Sequence, residues 1–279
     1  MVAAILLVVV SGAAPAGEYT EVQRTPAEVK RGDECDRLHS DLRKKLPDDE
    51  RAQRDAWVAE KPRCAGTGLY EYLLGTHERH LGNDSAAIAI FEDAVKRKLP
   101  FYESVYVSLN TMYAEAAFTA KPPDLERVRV LRKELMQFAA AHKPDAFAYQ
   151  QLAAYAVTLK DWPAAVEAAR GSIELDRMAG KADRYLVFSL HASQRCPEAV
   201  KEIGPAIENS PELLADPQFM LSAADCYAET GQIETGEKAL NALLRNNPSM
   251  KDNAGVIQLQ KFFVSKKPAG PATPAAPKD

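Results

Sequence analysis

A pattern of small and bulky residues recurs along the chain and constrains its fold more than any other feature. It is clearest in KDWPAAVEAARGSIELD, residues 160–176, where Ser172 follows Ala165 at a distance of seven residues. The pattern returns 34 residues later at Ala199 and a further 37 residues later at Gly236. Residues seven apart lie on one face of an α-helix. A period near 34 residues indicates a solenoid of stacked repeats.

A second helical stretch precedes each of these helices, so the repeat is a pair. The segments AFAYQQLAAYAVTL and QFMLSAADCYAETG precede Ala165 and Gly236, and YEYLLGTHERHLG precedes a similar helix at Ala87. The pairs resemble the tetratricopeptide repeat, which has two antiparallel helices per unit. The resemblance implies that small residues let the paired helices pack closely and that aromatic side chains fill the gaps between units.

The resemblance covers about 180 residues and is uneven along the chain. Residues 145–177 and 218–248 match the repeat well, 180–211 match it fairly, and 68–100 are recognisable. Residues 101–144 are longer than one repeat, so an extended helix or a loop is expected near Ala120–Pro123. The predicted class is all-α, an α-solenoid of tandem antiparallel helix pairs, within residues 64–265.

Helices outside the repeats are expected to cap the solenoid at both ends. A helix from Asp33 and a second one carrying Trp57 predict an N-terminal helical hairpin within residues 17–63. The stretch KDNAGVIQLQKFFVS predicts a C-terminal capping helix, which would leave Phe262 and Phe263 exposed if it packed incompletely. Residues 266–279 are rich in proline and alanine, which predicts a disordered tail.

The N-terminal residues and the net charge bear on the compartment and the partners. Residues 1–16 contain the apolar run VAAILLVVV followed by Ala14-Pro15-Ala16, which predicts a secretory signal, although the basic residues that usually begin one are missing. A misplaced start or a buried strand are the alternatives. The run is too short to span a bilayer, so no membrane span is expected in the mature chain.

A net charge of -4 without a basic block disfavours nucleic acid as a partner.

Four cysteines without a CxxC spacing fit an exported chain that uses disulfides, and they disfavour structural zinc. Four cysteines allow three pairings. In the hairpin, the start of the first helix meets the end of the second, and in the stacked repeats a second helix begins beside the end of the next first helix. The predicted disulfides are therefore Cys35–Cys64 and Cys196–Cys226.

Catalytic motifs are missing from the sequence, so no enzyme activity, metal or cofactor is expected. The segment His77-Glu78-Arg79-His80 is one residue short of HExxH, and it is interpreted as a solvated polar face. His39, His142 and His191 are interpreted as isolated histidines. The Asp48-Asp49 pair is interpreted as charge at a helix N-terminus. No GxSxG, P-loop or GxGxxG segment occurs.

The resemblance implies a binding surface, since the first helices of tetratricopeptide repeats line a concave groove that holds peptides or partner helices. The matching positions here are Tyr72, Arg79, Gln150, Arg184, Phe188, His191 and Asp225. Arg184 and His191 lie on one helical face with Phe188 between them, an arrangement suited to a carboxylate or an acidic peptide. The lysine and asparagine pattern of carboxylate-clamp members is not reproduced, so binding of chaperone tails is not supported.

The expected function is a non-catalytic scaffold or adaptor in the cell envelope, periplasmic or secreted, that binds a protein or peptide. Two alternatives remain: a structural subunit of an envelope assembly, and an accessory domain of an enzyme. The pattern sets no oligomeric state and names no partner.

Overall fold

The computed structural model describes residues 24–142, 145–177 and 182–266. The predicted signal segment 1–16 and the tail after residue 266 lie outside these ranges. The described residues form fourteen α-helices and no β-strand, which confirms the prediction of an all-α repeat fold. The chain divides into two compact units, Met1–Lys143 and Pro144–Asp279, so the predicted solenoid is shared between them.

The first unit contains seven of the described helices. They are α1 (Pro26–Lys45), α2 (Glu50–Ala59), α3 (Lys61–Cys64), α4 (Leu69–His80), α5 (Asp84–Lys96), α6 (Tyr102–Thr119) and α7 (Leu125–Ala141). Consecutive helices from α4 to α7 pack on one another, and α1 and α2 both contact α4. The expected irregularity near residue 120 is a loop between two long helices, α6 and α7.

The second unit contains three helix pairs and a closing helix. They are α8 (Ala146–Thr158), α9 (Trp162–Asp176), α10 (Ala182–Ala192), α11 (Cys196–Asn209), α12 (Pro217–Glu229), α13 (Ile233–Asn246) and α14 (Ala254–Lys266). Short 3-10 helices, Pro211–Ala215 and Pro248–Asp252, precede α12 and α14. On α14, Phe263 is buried against α12 and α13 and Phe262 is partly buried, so these two rings form no fully exposed patch.

Side-chain caps explain where several helices begin. Asp124, Asp145 and Asp216 accept hydrogen bonds from backbone N–H groups in the first turns of α7, α8 and α12. The predicted start of the first helix at Asp33 is wrong, because α1 begins at Pro26. Thr25 and Glu28 form a capping box there, with proline at the first helical position, and both features favour an earlier helix start.

The N-terminal hairpin packs on the first repeat through a small buried cluster. Trp57 is fully buried, and its indole Nε1 donates to the carbonyl oxygen of Tyr70 at 3.2 Å. The Sγ atoms of Cys35 and Cys64 are bonded at 2.03 Å within the same cluster. This hairpin therefore covers the apolar start of α4, as expected of a terminal cap.

Close approach between paired helices depends on residues with little or no side chain. A Cβ atom on Gly75 of α4 would lie 2.2 Å from Cε1 of Phe91 on α5. A Cβ atom on Gly236 of α13 would lie 3.0 Å from the carbonyl oxygen of Ala224 on α12. Ser172 on α9 is buried, and its hydroxyl donates to the carbonyl oxygen of Ala146 on α8 at 2.7 Å. The small residues of the sequence pattern thus lie at these helix contacts.

The structure forms two disulfides, and they are the predicted pairs. The Sγ atoms of Cys196 and Cys226 are 2.08 Å apart, and these residues join the start of α11 to the last turn of α12. All four cysteines are buried. Each bond closes a loop of about 30 residues, for which chain entropy gives a stabilisation of about 3–4 kcal/mol.

Gly75→Ala is expected to destabilise the first unit by about 1–2 kcal/mol. The added methyl group overlaps the buried ring of Phe91, which outweighs the gain in helix propensity of at most about 1 kcal/mol. Urea unfolding followed by Trp57 fluorescence, with Trp162 replaced by Phe, measures the change. Gly32→Ala is the matched control, because Gly32 lies inside α1 with no atom within 4 Å of the place that the added methyl group would take, and it should stabilise by about 0.5–1 kcal/mol. Equal effects of both substitutions would contradict the close-contact explanation.

The denatured but unreduced protein is expected to show no reactive thiol, and four after reduction, because all four cysteines are paired. A thiol titration in guanidinium of protein purified from its native compartment checks this. Replacing Cys196 and Cys226 together by serine should lower the free energy of unfolding by about 2–4 kcal/mol. Four reactive thiols before reduction would overturn the pairing.

Candidate functional site

Three of the predicted groove residues share one face of α10. Arg184, Phe188 and His191 lie at positions i, i+4 and i+7 of this helix, and all three side chains are partly exposed. The neighbouring helix α12 contributes Asp225 beside them, and α10 and α12 are in contact. We refer to Arg184, Phe188, His191 and Asp225 as the α10 face.

The two basic side chains of the α10 face are paired with acidic residues of the next repeat. The Nε atom of Arg184 lies 2.9 Å from Oδ2 of Asp216, the residue that caps α12. Nε2 of His191 lies 2.7 Å from Oδ2 of Asp225. The sequence placed His191 and Asp225 in the same predicted groove, but nothing in it indicated that they pair.

Phe188, the apolar member of the α10 face, forms an aromatic pair with Trp162 of α9. The rings of Phe188 and Trp162 meet edge to face with centroids 5.6 Å apart, and both side chains are only partly buried. Trp162 is the first residue of α9 and was missed as a site residue. Its position directly after the capping residue Asp161 marked it as a helix start, and the sequence had no means of placing it beside Phe188.

The other three predicted groove residues lie outside the α10 face. Gln150 is on α8, which also contacts α10, and its side chain is partly buried. Tyr72 and Arg79 belong to the first unit, where they lie seven residues apart on α4. Both terminal oxygens of Glu115 on α6 accept from Nη2 of Arg79, at 2.8 and 2.7 Å.

These polar contacts join first helices of neighbouring repeats at the repeat spacing. The partners Arg79 and Glu115 are 36 residues apart, and His191 and Asp225 are 34 residues apart. Exposed pairs of this kind contribute about 0–1 kcal/mol each, so their main effect is to set charge and orientation on the surface. The basic side chains that the sequence proposed for ligand binding therefore already contact carboxylates of the chain itself.

Two interpretations of histidines are wrong. His77 is buried, and only His80 of the His77-Glu78-Arg79-His80 segment is exposed. His39 is not isolated, since its Nε2 lies 3.2 Å from Nε2 of His77, and neither is His191, which contacts Asp225. A signal was present: His39 lies four residues after Cys35, on the stripe of α1 that faces the hairpin core.

Across the described residues, no three histidine, cysteine, aspartate or glutamate side chains are grouped closely enough to hold a metal ion. Among the same residues, no helix combines the length and the apolar character needed to cross a bilayer.

Comparisons with known proteins identify the fold. No family model matches the chain, and no curated protein matches it. Among solved structures, YrrB, described as a TPR protein with an unusual peptide-binding site, aligns over 75% of this chain and 99% of its own, with a TM-score of 0.50 and 14% identity. A chain from the APC/C hetero-tetramer Cut9–Hcn1 aligns over 85% of this chain and 47% of its own, with a TM-score of 0.59 and 12% identity.

This chain thus spans about half the length of the Cut9–Hcn1 chain that it matches. Identities of 12% and 14% establish a shared fold and carry no statement about activity or partners. The helix pairs, the small residues at their contacts and these two alignments agree. The chain has the fold of the tetratricopeptide repeat proteins.

Proposed function

We propose that the chain is a non-catalytic scaffold that binds a segment of another protein on the α10 face. The observation that carries the proposal is the partly exposed aromatic pair Phe188–Trp162, which lies on the packed helices α9 and α10. Aromatic side chains are the most frequent anchors of protein interfaces. The described peptide-binding site of YrrB, which shares the fold, supports a peptide as the ligand class.

The ligand is proposed to be apolar at its anchor. An acidic ligand would have to displace Asp216 from Arg184 or Asp225 from His191, and each displacement leaves a carboxylate of the chain without its partner. Asp216 also accepts from the N–H groups of Gln218 and Phe219, so moving it would weaken the start of α12. An apolar side chain that packs against Phe188 and Trp162 displaces neither carboxylate. The suggestion of an acidic peptide from the sequence is therefore replaced.

The rigid framework favours binding because it leaves little to be ordered. Cys196–Cys226 joins α11 to α12 next to the α10 face, and α10 packs on α9, α11 and α12. A preorganised surface loses less conformational entropy when a partner binds. The proposed role needs no reacting group on the α10 face.

The proposed location is the periplasm or the exterior of the cell. Two buried disulfides support it, because such bonds persist in oxidising compartments. The apolar segment 1–16 supports export in the same direction.

A structural subunit of an envelope assembly is the second candidate. It is favoured by two large apolar side chains on the first unit, Phe118 of α6 and Met136 of α7, which are 51% and 50% exposed. Exposed apolar patches often mark surfaces that a partner protein covers. This candidate predicts that substitutions at Phe118 and Met136, rather than at Phe188, disrupt the interaction.

Phe188→Ala is expected to reduce capture of the partner at least tenfold, because it removes the proposed anchor. Crosslinking and affinity capture from the native envelope, quantified by mass spectrometry for the same captured protein, measures the change. Arg184 is unsuitable for this test, since its replacement would also disturb the capping residue Asp216.

Leu175→Ala is the control, as it truncates an apolar side chain of α9 that is exposed in the same unit and lies outside the α10 face. Capture should be unchanged by this substitution. Unchanged capture with Phe188→Ala would contradict the proposal, and loss with Phe118→Ala instead would favour the structural-subunit candidate.

A further inference from the structure

Three side chains from three helices of the first unit meet in one cluster, in which two histidines are buried and a glutamate is partly exposed. His39 of α1 and His77 of α4 are 9% and 5% exposed, and their Nε2 atoms are 3.2 Å apart. Nδ1 of His77 lies 2.5 Å from Oε1 of Glu50 on α2. We call His39, Glu50 and His77 the histidine junction. It lies where the N-terminal hairpin, α1 and α2, packs on α4.

The contacts of the junction limit how many protons it can hold. The carboxylate of Glu50 accepts, so Nδ1 of His77 donates to it. The contact between the two Nε2 atoms needs one N–H group and one lone pair. If both rings were protonated, two N–H groups would face each other without an acceptor. Two positive charges would also lie 3.2 Å apart in a buried site.

We propose that the histidine junction is an acid-sensitive contact that holds α1 on α4 near neutral pH and releases it in mildly acidic solution. The second proton cannot be accommodated while the two rings touch. Separation of α1 from α4 lets water solvate both charged rings. The hairpin is thereby a cap whose attachment depends on pH.

The surroundings of His39 also disfavour its protonation while α1 is packed on α4. Burial lowers the pKa of His39 to about 4, and the proximity of His77 and Arg43 adds to the effect, against a weaker opposing influence of Asp36 and Glu50. The charged or titratable groups near the junction are Asp36 and Arg43 on α1, Glu50 and Arg54 on α2, and His77, Glu78 and His80 on α4. On α3, which also contacts α1, Lys61 and Arg63 are exposed.

The sign of the pH dependence follows from these values. A released His39 has the ordinary pKa of 6.5, whereas the packed ring has a pKa of about 4. Between these values the released state binds the proton more tightly, so release becomes more favourable as the pH falls from 6.5 towards 4. Burial alone would raise the pKa of Glu50, but hydrogen bonds with His77 and His80 outweigh it and lower that pKa. Its protonation below the ordinary value of 4.5 therefore destabilises the junction further.

The disulfide keeps the released helix attached. Cys35 lies one helical turn before His39 on α1 and is bonded to Cys64 at the end of α3. Release therefore loosens α1 without separating it from the unit, and the change is reversible. It uncovers apolar side chains packed in the same cluster, chiefly Trp57 and Tyr70.

Hydrogen exchange at pH 7.5 and pH 5.0 tests the proposal in the intact protein. With rates corrected for the intrinsic effect of pH, protection of α1 amides should fall by about tenfold, and protection of α12 in the second unit should not change. His39→Gln keeps an N–H donor towards His77 but does not titrate, so the acid effect on α1 should disappear. His80→Gln is the control, because His80 is exposed yet contacts the same carboxylate at 3.3 Å, and it should retain the effect.

A titration of the imidazole rings by NMR decides the matter even if the His39→Gln variant fails to fold. His39 of the unaltered protein should remain neutral at pH 6 and titrate between its ordinary pKa of 6.5 and the lowered pKa of the packed ring, together with changes in the signals of α1. The proposal is overturned if His39 titrates near 6.5 while α1 stays packed. It is equally overturned if α1 and α12 lose protection alike, or if a folded His39→Gln variant keeps the acid effect.

Discussion

The packing of paired helices at small residues is the constraint on which the rest of the structure depends. Gly75 admits the ring of Phe91, and Gly236 lets the carbonyl group of Ala224 on α12 approach α13. A helix of 11 to 15 residues, the length of most repeat helices here, is marginally stable alone and needs a partner to cover its apolar stripe. Close approach lets each pair bury a continuous core, and the next pair can then add to it. First-helix side chains that face no second helix then form one surface of each unit.

Polar contacts at the repeat spacing give that surface its chemical character. Arg79 with Glu115, and His191 with Asp225, join equivalent helices of neighbouring repeats within each unit. These contacts contribute little to stability, but they give each basic side chain a carboxylate partner within the chain. The aromatic pair Phe188–Trp162 is then the feature of the α10 face with the most to gain from a partner.

The sequence predicted the helix pairs because its pattern is local and periodic. Ala165, Ala199 and Gly236 lie on helices whose order and length follow from spacing alone, and that order sufficed to pair the four cysteines. Contacts between side chains that are distant along the chain could not be predicted from the sequence in this way. His39 and His77 are 38 residues apart, and only the packing of α1 on α4 brings them together. Trp162 beside Phe188 and Asp216 beside Arg184 depend on packing in the same way.

The most direct measurement of the central claim is a hydrogen-exchange footprint of the captured partner on this chain. The claim is that the paired helices stack so that the first helices present the binding surface. Binding should therefore slow exchange in α10 and α12, while α11 and α13 keep the rates of the free chain. Protection confined to α11 and α13, or to α6 and α7 of the first unit, would contradict the account and place the interface on another surface.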